Sequence, residues 1–229
     1  MSRRIGAVRW IVVEIIWLAR HGSRLDFVDP EWHKTAERRN DPPISADGLG
    51  QAAQLGARLR QENISHIFSS PFLRCLMTAD IAAREIGRSL KVESGFSEWL
   101  NADWFPQRPV LLRRDEMEQQ FPSIDRTYSS RVQPSYPESG DAVLERTGTA
   151  ISEVAREYDG VVLVVGHGAT VYGSLLRLLG LTFDETSRIL GEVHYCCLCK
   201  LSRQDGGWHL DLAADVSHLE IRSGGDRFH

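Results

Sequence analysis

Basic charge is not in excess: 27 lysines and arginines stand against 31 aspartates and glutamates, for a net charge of −4. A chain that reads nucleic acid through its phosphates shows the opposite balance, so no nucleic-acid partner is expected. Cysteine is scarce as well, with four residues, at Cys75, Cys196, Cys197 and Cys199. Cys196 and Cys199 form a C-x-x-C, but no second pair follows and no histidine spacing completes a zinc set, so neither a metal nor another cofactor is expected. The clustered thiols read as reduced, half-buried strand residues of a cytoplasmic protein. That strand is also where a sheet edge could pair with a second copy into a homodimer. Long apolar runs are missing too. The nearest approach, residues 5–18, is interrupted by Arg9 and Glu14, whereas a membrane span needs about 20 mostly apolar residues. It reads as a short leader running into a first strand, with no membrane partner.

What is present has the size and composition of one globular domain over residues 1–229, with 42% hydrophobic and 25% charged residues. Residues 11–19 (IVVEIIWLA) and 161–165 (VVLVV) are β-branched and nearly continuous in apolar character, as central strands covered on both faces must be. A third strand is expected over 64–70, stopped by Pro71, and two more near 192–201 and 208–213. Helical spacing runs through Leu49, Ala52, Leu55 and Leu59 behind a candidate N-cap at Ser45. It recurs over 72–86, from a cap at Ser139 or Asp141 to Val154, and over 170–179. Alternating strands and helices predict an α/β fold of three layers, α/β/α, around a mostly parallel central sheet. Two stretches resist this pattern. Residues 24–43 are polar, and residues 102–137 carry five prolines and little periodicity beyond a short helix at 110–120. Both are expected to form loop or helix caps at the rim of a site.

Both central strands end in a His-Gly step, at His21-Gly22 and His167-Gly168, and ligands of parallel sheets bind at the carboxyl ends of the strands. Arg20 and Arg24 flank the first histidine. Arg74 falls in the first turn of the helix after the third strand, where the helix dipole disfavours a cation. Its placement is explained if guanidinium and helix N-terminus together bind an anion.

Four ordered motifs then make the chain recognisable: Leu-Ala-Arg-His-Gly (18–22), Ile-Ser-Ala-Asp-Gly-Leu-Gly-Gln-Ala (44–52), Ser-Ser-Pro-Phe-Leu-Arg-Cys-Leu-Met-Thr-Ala (69–79) and Val-Gly-His-Gly (165–168). It resembles the histidine phosphatase superfamily, of phosphoglycerate mutase-like fold. Within it the chain is most similar to the phosphatase domain of the ubiquitin-associated and SH3 domain-containing (Sts) proteins and of the ecdysteroid-phosphate phosphatases, through Arg-His-Gly-Ser-Arg-Leu-Asp (20–26), Leu-Arg-Cys (73–75), Phe-Ser-Glu-Trp (96–99) and Tyr-Cys-Cys-Leu-Cys (195–199). The resemblance implies a metal-independent phosphatase acting on a small phosphomonoester or a phosphopeptide. His21 would be the nucleophile, forming phosphohistidine. Arg20, Arg24, Arg74 and His167 would hold the phosphoryl oxygens, and Glu98 would be the general acid and base, with Asp103 a weaker alternative. Where many relatives carry alanine on either side of the second histidine, Gly166 and Gly168 stand here, and would loosen the backbone without removing the imidazole.

Three other functions compete. A phosphoglycerate mutase would return the phosphoryl group to product, but the long substrate-binding insertion of such mutases has no counterpart in 99–109. A silent phosphate-binding module would have lost its nucleophile or an arginine, and neither is replaced. A redox or metal protein would rest on Cys196 and Cys199 alone. Aromatics at Trp99, Trp104, Phe105, Phe121, Tyr128 and Tyr136 serve either the core of the cap or an organic leaving group, which favours a substrate with a sizeable organic part over a small sugar.

Overall fold

In the computed structural model, which describes residues 12–220, the chain runs through β1 (Val13–Arg20), two short helices α1 (Leu25–Val28) and α2 (Trp32–Thr35), α3 (Ala46–Leu59), β2 (His66–Ser69), α4 (Leu73–Ile86) and β3 (Leu90–Val92). A 3-10 turn (Ser94–Phe96) follows, then α5 (Arg114–Gln120), α6 (Gly140–Glu157), β4 (Gly160–Gly166), α7 (Gly168–Leu179), α8 (Phe183–Leu190), β5 (Leu198–Gln204) and β6 (Gly207–Asp215). The expected leader, and Ile11 as the start of the first strand, lie outside the described residues. The six strands form one sheet in the order β3-β2-β4-β1-β5-β6. The first four are parallel, and β5 and β6 join antiparallel.

The sequence of the central strands explains the layers. Side chains alternate across a strand, so an unbroken apolar run feeds two cores. Trp17, Ala19, Leu163 and Val165 enter one core with Leu55 and Leu59 of α3 and Leu76 and Ala79 of α4. Ile16, Leu18, Val162 and Val164 enter the other with Ile151 and Val154 of α6 and Val171 and Leu175 of α7. This is the expected α/β/α arrangement. Ser45 caps α3 by accepting from the Gly48 N–H, and Ser139, the first of the two candidates, caps α6 by accepting from Ala142. No described helix is long and apolar enough to cross a membrane.

Several expectations need correction. Cys196 and Cys197 do not lie on a strand with Cys199. They occupy a turn before β5, with Cys196 at φ 52°, and the strand begins at Leu198. All four thiols are free and fully buried rather than half-buried. Cys196 packs into one core, Cys197 and Cys199 into the other. Burial pushes the Cys199 thiol up to about 11, far from the ready thiolate that redox or metal chemistry needs. β5 lies between β1 and β6, so the cysteine-bearing strand offers no free edge to a second copy. The polar stretch 24–43 contains α1 and α2, and the helix expected at 110–120 begins only at Arg114. β3 and α8 were not expected. A strand of three residues is too short to show a period, but the capping box of α8, Thr182 with Glu185, was legible as T-x-x-E.

Candidate active site

Strand register decides which side chains meet. Arg20 is paired with Gly166 across β1 and β4, and Ser69 with Val165 across β2 and β4. The three strands therefore end level. The backbone continues the pairing one residue further, through His21 N–H to Gly166 C=O at 3.0 Å and Ser70 N–H to Val165 C=O at 3.0 Å. His21, His167 and Ser70 thus leave the sheet at one edge. Two close approaches require glycine there. A Cβ on Gly22 would fall 2.7 Å from the Gly48 carbonyl oxygen, which fixes the turn after β1 against the first turn of α3. A Cβ on Gly166 would fall 2.4 Å from Thr170 Oγ1. That glycine admits a tight strand-to-helix turn, in which Thr170 accepts from the His167 N–H, and does not loosen the backbone as expected.

The hydrogen bonds of His21 specify its tautomer. Nδ1 lies 2.8 Å from the Gly22 carbonyl oxygen, which can only accept, so Nδ1 carries the proton. Nε2 is left with its lone pair, facing Arg74 Nε at 3.2 Å. Burial, Arg74, His167 and Arg20 hold this imidazole well below its ordinary pKa, so it is neutral at physiological pH. His167 is equally buried, its ring centroid 5.3 Å from that of His21. Its Nε2 lies 2.8 Å from Ser70 Oγ and its Nδ1 3.2 Å from Glu98 Oε2. Burial pulls its pKa down to about 4, and the pull of Glu98 does not restore it.

Arg74, 1% exposed, joins these groups: Nη2 donates to Glu98 Oε2 at 2.9 Å and lies 3.3 Å from His167 Nδ1. Burial alone would raise the Glu98 carboxyl. The hydrogen bond from His167 Nδ1 and the charge of Arg74 outweigh it and hold Glu98 well below the usual carboxylate range, so it is ionised. Arg20 stacks over the Tyr195 ring at 4.4 Å and donates to the Val193 carbonyl. Arg24 is less available than expected. It grips Asp26 through two bonds, at 2.9 and 2.6 Å, but still lines the pocket.

Arg20, His21, Arg24 and Glu98 open into a cavity of about 140 Å³ whose outer wall includes Phe27, His33, Arg39, Trp104 and Phe105. The two stretches expected to form caps therefore both reach it. Of the six flagged aromatics only Trp104 and Phe105 line it, while Phe121 and Tyr128 belong to the main cores. Asp103, the alternative acid, is exposed and outside the lining. His21, Glu98 and His167 offer donor atoms within 4.8 Å of one another, as a metal site would. The adjacent charges of Arg20, Arg24 and Arg74 oppose a dication and favour an anion.

The sequence reading missed Ser70 and, more consequentially, the buried pair of Arg146 and Glu138. Arg146 donates Nε and Nη2 to the Glu138 carboxylate at 2.6 and 2.8 Å. Its guanidinium also holds the carbonyls of Gly95, Ser97 and Glu98, at 2.8, 3.1 and 3.1 Å. The loop presenting Glu98 is thus anchored from α6, a link across some fifty residues that no local motif carries. Arg146→Ala leaves the Glu138 carboxylate buried without its partner and is expected to cost about 3–5 kcal/mol in urea unfolding. A loss below about 1 kcal/mol would deny the clamp this role.

The sequence profile of the histidine phosphatase superfamily (branch 1) matches residues 16–216. An ecdysteroid-phosphate phosphatase of Drosophila melanogaster is 27% identical, over 85% of this chain and 31% of its own length. The human ubiquitin-associated and SH3 domain-containing protein A is 28% identical, over 75% of this chain and 28% of its own. The chain spans about a third of the length of these two relatives. A probable phosphoglycerate mutase GpmB of Salmonella arizonae is 29% identical over 90% of this chain and 94% of its own. Among solved structures, an ecdysone phosphate phosphatase of Bombyx mori in complex with tungstate superposes with a TM-score of 0.74 at 23% identity, covering 94% of this chain and 98% of that one.

Proposed function

The chain belongs to the histidine phosphatase superfamily, branch 1, and from that premise we propose that it is a metal-independent phosphatase that hydrolyses phosphomonoesters through phosphohistidine at His21. The observation that carries this reading is the state of His21, a buried neutral imidazole whose unprotonated Nε2 faces a guanidinium and lies beside a second neutral imidazole and a carboxyl. A neutral Nε2 is the nucleophile that attack on phosphorus needs. Its lone pair forms the N–P bond as the bond to the leaving oxygen breaks. Arg20, Arg74, Arg24 and His167 offset charge on the phosphoryl oxygens throughout transfer. Glu98, protonated in the occupied site, gives its proton to the leaving oxygen. As carboxylate it then takes a proton from the water that attacks phosphorus, returning His21 and free phosphate.

Phe27, Trp104 and Phe105 in the outer wall support a substrate whose organic part is sizeable and at least partly apolar. Free, buried thiols support a reducing, cytoplasmic setting. A second reading, mutase-type transfer, is supported by the full-length similarity to GpmB. Incubation with a phosphoglycerate separates them, since a mutase yields the positional isomer and a phosphatase yields free phosphate. The direct test of the proposal is chemical quench during turnover of p-nitrophenyl phosphate in chelator. A phosphoryl group stable to base, labile to acid and mapped to His21 by mass spectrometry is expected. Turnover with no such adduct, or abolished by the chelator, would sink the mechanism.

A further inference from the structure

Beneath the site lies a carboxylate with no part in this mechanism. Asp41, at the end of the 24–43 stretch, has a fully buried side chain. Its Oδ1 accepts from the Leu73 N–H at 2.8 Å, in the first turn of α4, and lies 4.0 Å from Arg74 Nη1. Asp41 Oδ2 and Arg74 Nη1 are both buried, and neither forms a hydrogen bond. A capping role alone would not place a buried charge here, because asparagine or serine caps as well. Nor does it explain why each partner of this buried ion pair keeps an ionic atom without a hydrogen bond, which is a costly arrangement.

We propose that Asp41 is a positioning residue for phosphoryl transfer. Its charge holds the Arg74 guanidinium from the Nη1 side while Glu98 holds Nη2 and His21 meets Nε, so all three nitrogens of the guanidinium are fixed against the nucleophile and the acid. This rests on the phosphatase reading above. Arg74 touches nucleophile, second histidine and acid together. A guanidinium free to rotate there would cost alignment at three groups at once, and misplacement of about 1 Å can cost roughly 10²-fold in rate.

Burial pushes the Asp41 carboxyl up to about 6, against the opposing pull of Arg74, the Leu73 N–H, Arg38 and Arg24. The charged groups that face it are Arg74 from α4, Arg38 from its own loop and Arg24 from the turn after β1. The sign of the linkage follows. The folded-state pKa lies above the unfolded value near 3.8, so the native state takes up a proton between about pH 4 and 6. This group therefore favours the fold most below that window, and its contribution is lost as pH rises through the folded pKa. Ionised Asp41 is a cost to stability, of the kind retained for function.

Asp41→Asn keeps the acceptor for Leu73 and removes the charge; Asp41→Ser does so with less bulk, should the amide disturb folding. The measurement is the ratio of wild-type to variant kcat/KM for p-nitrophenyl phosphate across pH, which cancels titration of substrate and of Glu98. The ratio should be about tenfold above pH 7 and fall to within about twofold near pH 5, where wild-type Asp41 is itself neutral. Thermal unfolding near pH 7.5 should show the asparagine variant at least as stable as wild type. A ratio near one at every pH, or one that does not vary with pH, overturns the proposal, as does a less stable variant with unchanged kinetics. Orthophosphate affinity by calorimetry carries the same comparison if hydrolysis is absent, so failure of the phosphatase reading is seen separately.

Discussion

Replacing His21 with alanine is expected to lower phosphomonoester turnover by on the order of 10⁴- to 10⁶-fold, the loss that follows removal of a covalent nucleophile from an otherwise intact site. The variant should keep the fold. His21 closes the end of β1, but the strand pairing there uses its backbone N–H to Gly166, which alanine retains. Arg74 loses an acceptor at Nε and keeps Glu98, so the phosphate cradle survives. Orthophosphate should still bind, within about an order of magnitude of the wild-type affinity, because the guanidinium groups supply most of the charge. Steady-state release of p-nitrophenol together with calorimetry would read both quantities. Turnover within about tenfold of wild type would mean that another group attacks phosphorus, and the role of every neighbour would need reassignment.

Glu98→Gln should have an effect that depends on the leaving group. An alkyl leaving oxygen must be protonated as it departs, so loss of the acid is expected to cost about 10²- to 10⁴-fold on an alkyl phosphate. p-Nitrophenolate leaves without a proton, so its release should persist as a burst. Glutamine cannot take a proton from water, so phosphohistidine accumulates and the steady rate after the burst falls. The pH dependence has a definite sign. Glu98 is held well below the usual range and is ionised at neutral pH. A bound phosphoryl group adds negative charge beside it and raises its pKa, which increases the protonated fraction as pH falls. Wild-type kcat on an alkyl phosphate should therefore rise toward mildly acidic pH, and the glutamine variant should be slow with no such rise. An alkyl phosphate turned over at the wild-type rate by Glu98→Gln would move the acid elsewhere.

The strongest sequence signals were local and repeated. The unbroken β-branched runs of β1 and β4 announce strands covered on both faces, and the two cores filled by alternate residues bear that out. The His-Gly steps mark the carboxyl ends of those strands, and the spacing of Ser45, Ser139 and Arg74 against their helices is local chemistry. His21, His167, Arg20 and Arg74 were named from these signals and Glu98 only through the family resemblance; strand register brings His21, His167 and Arg20 together at the carboxyl ends of the strands, and α4 brings Arg74. Glu98 comes from the other direction, on a loop that the chain alone leaves undetermined.

What determined that loop, and the charge state of the site, is long-range. Arg146 and Glu138 are an unremarked arginine and glutamate in the sequence; burial turns them into the clamp on Glu98. Asp41 sits in a polar stretch and becomes a buried partner of Arg74 only when the turn before α3 folds under α4. Cys196 and Cys199 form a C-x-x-C in the sequence, yet they pack into opposite cores. Periodicity and caps depend on neighbours within one or two turns of chain, so the sequence alone determined the elements and their order. Which polar groups lose their water, and against which charges, depends on residues tens of positions apart. Only the tertiary structure decided that, and with it the neutral His21 and the ionised Glu98 on which the proposed chemistry rests.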